Sequence, residues 1–209
     1  MIAQKRSRDR GQAFPIYVLV VAGLLFVALA FFAVGQASVT RSNAQGAADA
    51  AALAAAREAR DNLVPGLDLA VLKPEDWEDV LDGGRLYLAK GCGAAPGFAA
   101  KNDATAQCTR EALSFTVEVT TKGTVGDSVI PGTDSMHGTA NATAVIEPRC
   151  HLGSLTPLTR PADPPDTASE EPAPIKIRCK GGKDIDFDPL KPNPWRTLAR
   201  ALFDVRLAD

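Results

Sequence analysis

Residues 14–34 read FPIYVLVVAGLLFVALAFFAV, an apolar run without a charged side chain. Folded as a helix, a run of this length can cross a hydrocarbon layer of about 30 Å. Pro15 stands where a helix can begin, because the first amides of a helix have no intrahelical partner. We therefore predict a transmembrane helix over residues 14–35 and a single-pass membrane protein.

The charges that flank this run predict its orientation. Four basic side chains precede it against the single acidic Asp9, whereas the twenty residues after Gly35 carry only Arg41 and Asp49. Because basic residues are retained on the cytoplasmic side, residues 1–13 are predicted to form a cytoplasmic basic leader and the rest of the chain to be extracytoplasmic. The alternative is a signal peptide cut near Ala37, although the apolar run exceeds the usual length of about 7–15 residues.

An alanine-rich segment follows the apolar run, and residues 36–62 are predicted to extend the helix. No proline occurs in it, and alanine is the best helix former. Small side chains recur at three- and four-residue steps and so share one helix face. Either this face packs against a helix of a partner subunit or the alanines only supply helicity. The residues of the candidate helix-packing face are Ala44, Ala48, Ala51 and Ala55.

Residues 63–155 are predicted to form a small α+β ectodomain. A short helix begins at Pro74, has an acidic first turn, and ends at the Gly83-Gly84 pair. Residues 113–120 alternate apolar and polar side chains and form the clearest strand. A second strand over residues 138–146 is expected to pair with it.

The C-terminal part contains a proline-rich stretch, a hairpin and a helix. Residues 156–174 are predicted to form a linker, because their composition cannot bury enough apolar surface to fold alone. Residues 175–179 and 184–188 alternate on either side of a Gly-Gly pair, which is typical of a hairpin. Within the unit at residues 175–209, Pro194 opens an amphipathic helix that is expected to dock on this hairpin. The docking side chains are Trp195, Leu198, Leu202, Phe203 and Val205.

Four cysteines permit three disulfide pairings, and the sequence does not choose among them. We favour Cys92 with Cys108, which closes a glycine- and alanine-rich loop, and Cys150 with Cys179, which clips the hairpin to the end of the second strand. Two such bridges compensate for a small core. Free thiols in a reducing compartment are the alternative.

The rest of the sequence contains only weak signals for catalysis or metal binding. We therefore predict no catalytic residue, no metal site and no cofactor. The triplet Asp184, Asp186 and Asp188 alternates with apolar residues and lacks the glycine and distal glutamate of a calcium loop. Cys150 and His151 have no second ligand pair at zinc-finger spacing. The formal net charge of −2 gives no reason to expect a nucleic-acid partner.

The first sixty residues resemble the N-terminal segment of TadE/TadG-like proteins of the Flp (tight adherence) pilus system. Three parts in fixed order carry the resemblance: Arg10-Gly11-Gln12-Ala13, the apolar span, and the segment RSNAQGAADAAALAAA at residues 41–56. The resemblance marks Gly11 as the candidate residue for leader cleavage. Ile16 stands where pilins of this class usually carry a glutamate, and the Asp-x-Ser-x-Ser signature of larger members is absent around Asp127 and Asp134.

The resemblance implies a bacterial envelope protein, pseudopilin-like and non-enzymatic, whose partners are the membrane and other pilus-assembly subunits. One alternative is a single-pass envelope protein whose ectodomain binds a ligand or partner unrelated to pili. Another is a secreted hydrolase without a recognisable motif in its sequence.

Overall fold

The computed structural model describes residues 13–128, 130–153, 175–188 and 195–208. The predicted leader up to residue 12 and the predicted linker at residues 156–174 lie outside the described residues. The architecture is α+β, with a long N-terminal helix, two antiparallel sheets and a C-terminal helix.

One continuous helix, α1, runs from Ala13 to Arg60 and contains 48 residues. The absence of proline after its first turn and the high alanine content explain its length, which is about 72 Å at 1.5 Å per residue. Gly35 and Gly46 lie within it without interrupting it. The prediction of a helix that continues beyond the apolar run is therefore confirmed.

A four-stranded antiparallel sheet packs against the second half of α1. Its strands are β1 (Ala104–Glu111), β2 (Ser114–Thr124), β3 (His137–Pro148) and β7 (Phe203–Leu207), in the order β1-β2-β3-β7. The predicted pairing of β2 with β3 is confirmed, with Val117 opposite Ala142. Strand β1 was not predicted from the sequence.

A smaller antiparallel sheet has the order β4-β5-β6. It consists of β4 (Cys150–Leu152), β5 (Ile175–Cys179) and β6 (Lys183–Phe187). The predicted hairpin is β5–β6, and its turn uses positive φ angles at Gly181 and Gly182. Strand β4 was not predicted from the sequence.

Four short helices complete the described part of the chain: α2 (Pro74–Leu81), α3 (Leu88–Gly91), α4 (Ala95–Lys101) and α5 (Trp195–Leu202). The sequence predicted α2 and α5 but not α3 and α4.

One prediction for the C-terminus was wrong, because Phe203 and Val205 belong to strand β7 and not to helix α5. Strand β2 pairs with one edge of β3, and the other edge of β3 is free to accept another strand. Strand β7 pairs with that other edge, with Val205 opposite Ile146. Pairing with β3 gives the backbone N–H and C=O groups of this segment their hydrogen-bond partners.

The alanine face of α1 forms the centre of the hydrophobic core. Large side chains on β2 and small ones on β3 lie opposite each other on the sheet face that α1 covers. Because alanine and glycine have little or no side chain, the helix can approach this sheet closely. The buried core residues of these elements include Ala44, Ala48, Ala51, Ala55, Phe115, Val117, Val119 and Ala144.

Candidate functional site

The first half of α1 exposes a continuous apolar surface. Among the described residues it is the one helix long and apolar enough to cross a membrane. Residues 14–34 span about 31 Å at 1.5 Å per residue, which matches the thickness of a bilayer core. Exposed apolar surface of this extent is unfavourable in water and calls for a lipid or protein environment. Its large exposed side chains include Phe14, Ile16, Leu19, Leu24, Leu25, Phe26, Phe31, Phe32 and Val34.

The second half of α1 is held in what we call the folded body, which comprises residues 40–60 of α1 and all later described elements. A tight contact joins Thr40 to the start of β3, where a Cβ on Gly138 would lie 2.6 Å from the Thr40 carbonyl oxygen. Residues 35–39, between Val34 and the folded body, are exposed. Val34, at the end of the apolar surface, lies about 9 Å along the helix from Thr40.

Helix α3 crosses α1 at a second close contact. A Cβ on Gly91 would overlap the Phe115 ring and lie 2.8 Å from the carbonyl oxygen of Ala55. Only glycine fits between this ring and the helix backbone without a shift of one of them. Gly91 therefore fixes how α1, α3 and β2 pack.

Polar contacts fix α1 along the folded body. Gln45 Nε2 donates to Asp49 Oδ1 at 2.8 Å, and it lies 3.4 Å from the Asn141 carbonyl oxygen of β3. Near the other end, Lys90 Nζ forms an ion pair with Glu58 at 3.0 Å. These contacts join α1 to the large sheet and to α3.

The C-terminal end of α1 is tied to α5. Trp195 Nε1 donates a hydrogen bond to the carbonyl oxygen of Arg60 at 3.1 Å, which satisfies one of the acceptors that a helix leaves free at its end. The guanidinium groups of Arg60 and Arg200 lie 2.8 Å and 3.6 Å from the Asp61 carboxylate. Together these contacts hold α5 over the end of the long helix.

The candidate helix-packing residues of α1 lie inside the folded body. Ala44, Ala48, Ala51 and Ala55 are each 0% exposed. The chain's own sheet, together with α3 and α4, occupies the face that was considered for a partner helix. The large exposed apolar side chains of α1 lie in its first half.

The four cysteines form two disulfides. Cys92 is joined to Cys108, with 5.4 Å between their Cα atoms. Cys150 is joined to Cys179, its neighbour across strands β4 and β5. This is the pairing that we favoured from the sequence. Gly11, the candidate cleavage residue, lies outside the described residues.

Asp184 and Asp186 lie on the exposed face of strand β6, and Asp188 follows the last residue of that strand. Asp184 lies 3.5 Å from Arg178 on β5, and the side chains between the aspartates turn toward the core. Within the described ranges, no group of three or more His, Cys, Asp or Glu side chains is placed to hold a metal ion. Because Cys150 is in a disulfide, it cannot act as a thiolate ligand beside His151.

A charged pair links β3 to the terminal strand. Arg206 Nη2 donates to Glu147 Oε1 at 2.6 Å. This hydrogen bond, with the charges of Arg206 and Lys180, holds the pKa of the Glu147 carboxyl below its usual range, although some desolvation opposes the shift. The pair is exposed, and it joins the side chains of the paired strands β3 and β7.

An open groove of about 610 Å³ lies at the end of the folded body nearest the apolar surface. Thr40, Asn43, Lys101 and Asp103 are among its lining residues. Hydroxyl, amide and charged side chains line this groove.

Sequence reasoning missed Gly91 and Gly138 as residues that define the contacts of α1. Neither has a positive φ angle. Their requirement for glycine comes from backbone and ring atoms distant in sequence, which leave no local pattern.

The N-terminal segment matches a known family. Residues 11–58 match the model of the Tad family, described as Flp pilus-assembly TadE/G-like. The predicted resemblance is therefore confirmed for this segment, which spans both halves of α1. No curated protein and no solved structure matches the chain. The match and the exposed apolar surface support membrane anchoring and a role related to the Flp pilus.

Proposed function

From the Tad match over residues 11–58, we propose that the chain is a membrane-anchored, non-enzymatic and pseudopilin-like component of Flp pilus assembly or a related export system. The observation that carries this proposal is the coincidence of the matched segment with α1. The match begins just before the helix and ends within its last turn. The family segment therefore includes both the exposed apolar surface and the alanine face.

The N-terminus lies in the cytoplasm and the folded body outside the membrane in this proposal. The basic residues before the apolar run support that orientation, because positive charge is retained on the cytoplasmic side. The two disulfides support it as well, since such bonds persist in oxidising compartments of the envelope.

Contacts with other pilus-assembly subunits use the first half of α1. Its apolar side chains are exposed, whereas the alanine face is filled by the folded body. Within a bilayer, helices associate through side-chain packing, and Gly23 leaves open space for a close helix neighbour. The folded body is displayed beyond the membrane surface.

Intact mass and N-terminal sequencing of the native protein from membranes test how the anchor is processed. A chain that begins at Met1 is a permanently anchored assembly factor, and one that begins at Gln12 has been cut after Gly11 like a pilin. A start near Gln36 or Ser38 would remove the apolar surface and contradict the proposal.

Complementation tests the pilus role in the bacterium that encodes the chain. Deletion of the gene should abolish surface Flp filaments in electron micrographs, and the full-length chain should restore them. The double variant Leu24→Arg/Leu25→Arg should fail to restore them, because charges at the centre of a span oppose insertion. Thr109→Ala, on an exposed edge strand, is the matched control and should restore filaments. Normal filaments in the deletion strain would contradict the proposal.

A further inference from the structure

The connection between β2 and β3 exposes two large apolar side chains. We call its residues 125–128 and 130–136 the proximal loop. Ile130 is 46% exposed and Met136 is 55% exposed. Outside α1, the described part of the chain has few large apolar side chains exposed to this extent, the others being Val71 and Phe98.

The register between α1 and β3 shows where the proximal loop points. Thr40 of α1 contacts Gly138, and Gln45 contacts Asn141, so β3 runs in the same direction as α1. Residues that precede Gly138 must then lie toward the N-terminal end of α1. The proximal loop therefore projects from the folded body toward the apolar surface.

Ideal helix and strand rises place the loop near the level of the apolar surface. Val34 lies six residues before Thr40, which is about 9 Å along the helix. Met136 lies two residues before Gly138, which is about 7 Å along the strand, and its carbonyl accepts from Val125 N at 2.9 Å. Met136 is thus nearly level with Val34, and the loop beyond it extends further.

Several polar groups of the loop form hydrogen bonds with one another. Ser128 Oγ accepts a hydrogen bond from the Ile130 amide at 3.0 Å. The buried Thr133 hydroxyl lies 3.0 Å from Ser128 Oγ and 3.1 Å from the Ile130 carbonyl oxygen. A loop that pairs its own backbone groups can approach a bilayer interface at lower free-energy cost than one that does not.

Charges at this end of the folded body are balanced. Cations and carboxylates are both exposed there, and Lys101 Nζ lies 4.7 Å from the centre of the Phe98 ring. Such a mixture suits headgroups that carry both a phosphate and an ammonium group, and it gives no strong preference for anionic lipid. The charged residues are Arg41, Lys101, Lys122, Asp103, Asp127 and Asp134.

We propose that the proximal loop rests on the phospholipid bilayer that holds α1, with Ile130 and Met136 at the boundary between headgroups and acyl chains. This inference rests on the anchoring proposed above. The loop gives the folded body a second attachment beside the helix, and it fixes the tilt and rotation of the body relative to the membrane.

Depth-dependent fluorescence quenching tests the proposal with the full-length chain in zwitterionic phosphatidylcholine nanodiscs. Both disulfides occupy all four native cysteines, so a single introduced cysteine is the site that a fluorophore labels. Labels are placed by Ile130→Cys, by Met136→Cys, by Leu24→Cys in the apolar surface, and by Lys180→Cys. Lys180 follows β5, and its backbone amide donates a hydrogen bond to the carbonyl oxygen of Arg149, just after the end of β3. This position lies at the opposite end of the folded body.

Lipids brominated near the headgroup should quench the labels at positions 130 and 136 but not the label at position 180. Lipids brominated deep in the acyl chains should quench the label at position 24. Quenching at position 24 without quenching at positions 130 and 136 would overturn the proposal and leave the anchor intact. Absence of quenching at position 24 would overturn the anchor itself, so the two failures are distinguishable.

Discussion

Two glycines determine how closely α1 approaches its neighbours. Gly138 admits the Thr40 carbonyl where α1 enters the folded body, and Gly91 admits the Ala55 carbonyl and the Phe115 ring further along. Each position brings a backbone into contact with another backbone or a rigid ring. Because neither partner is the flexible end of a side chain, these contacts cannot adjust at low free-energy cost.

Substitution of Gly91 tests this packing. We expect Gly91→Ala to lower the free energy of unfolding by about 1–3 kcal/mol, the usual range for an overpacked core. Gly97→Ala in α4 is the matched control. No atom lies within 4 Å of a Cβ at that position, and alanine favours a helix over glycine by about 1 kcal/mol. Thermal unfolding followed by circular dichroism in detergent micelles measures both, and equal effects would contradict the packing argument.

The Glu147–Arg206 pair supports a pH-dependent prediction. A carboxyl whose pKa is lower in the folded state stabilises the fold above its unfolded pKa. That stabilisation is lost as the pH falls through the folded pKa. Because the pair is exposed, we expect only a slight effect on stability. In Arg206→Gln, the NMR titration midpoint of the Glu147 carboxyl should move upward, and an unchanged midpoint would show that Arg206 does not cause the shift.

Helix α1 has two environments along its length. Its first half exposes large apolar side chains, and its second half buries alanines against the sheet. Intrinsic helix propensity lets one element continue from one environment into the other. The large side chains suit lipid, whereas the small ones let the sheet come close.

Leucine substitutions in α1 distinguish these environments. Ala51→Leu should lower the free energy of unfolding by about 1–3 kcal/mol, because the side chain is fully buried against the sheet. Ala48→Leu should lower the free energy of unfolding by a similar amount. Ala37→Leu, on the exposed part of the same helix, should have little effect. Urea unfolding in micelles measures the three variants, and full stability of Ala51→Leu would show that the face is open to a partner.

At the scale of the whole molecule, a long helix carries one folded body that is cross-linked twice. One disulfide joins the segment between α3 and α4 to β1, and the other joins β4 to β5. In an oxidising compartment, each bridge adds about 2–4 kcal/mol to the free energy of unfolding of the folded body. The helix and the folded body together suit display at a membrane surface.

The orientation of the chain can be tested with a membrane-impermeant maleimide on intact cells. Thr109→Cys, on the exposed strand β1, should be labelled, and Gln4→Cys should be labelled only after the membrane is permeabilised. The physical reason is the retention of the basic leader in the cytoplasm. The reverse pattern would contradict the proposed topology while leaving the anchor in place.

The sequence by itself determined the long helix, the β2–β3 pairing and the β5–β6 hairpin. Each follows from local properties: a charge-free apolar run, alanine content, and alternation around turn residues. The Tad segment was likewise readable, because residues 41–56 keep a recognisable order. Local patterns suffice wherever an element's stability depends mainly on its own residues.

Only the tertiary structure decided what the alanine face contacts, which secondary structure the segment after α5 adopts, and where the proximal loop points. Phe203 and Val205 form a strand because β3 offers a free edge, which is a property of a segment more than fifty residues earlier. Gly91 and Gly138 must be glycine because of atoms in residues that are also distant in sequence, namely Ala55 and Phe115 for Gly91 and Thr40 for Gly138. Long-range pairing and packing select among conformations that are locally almost equivalent, so these features leave no short-range signal.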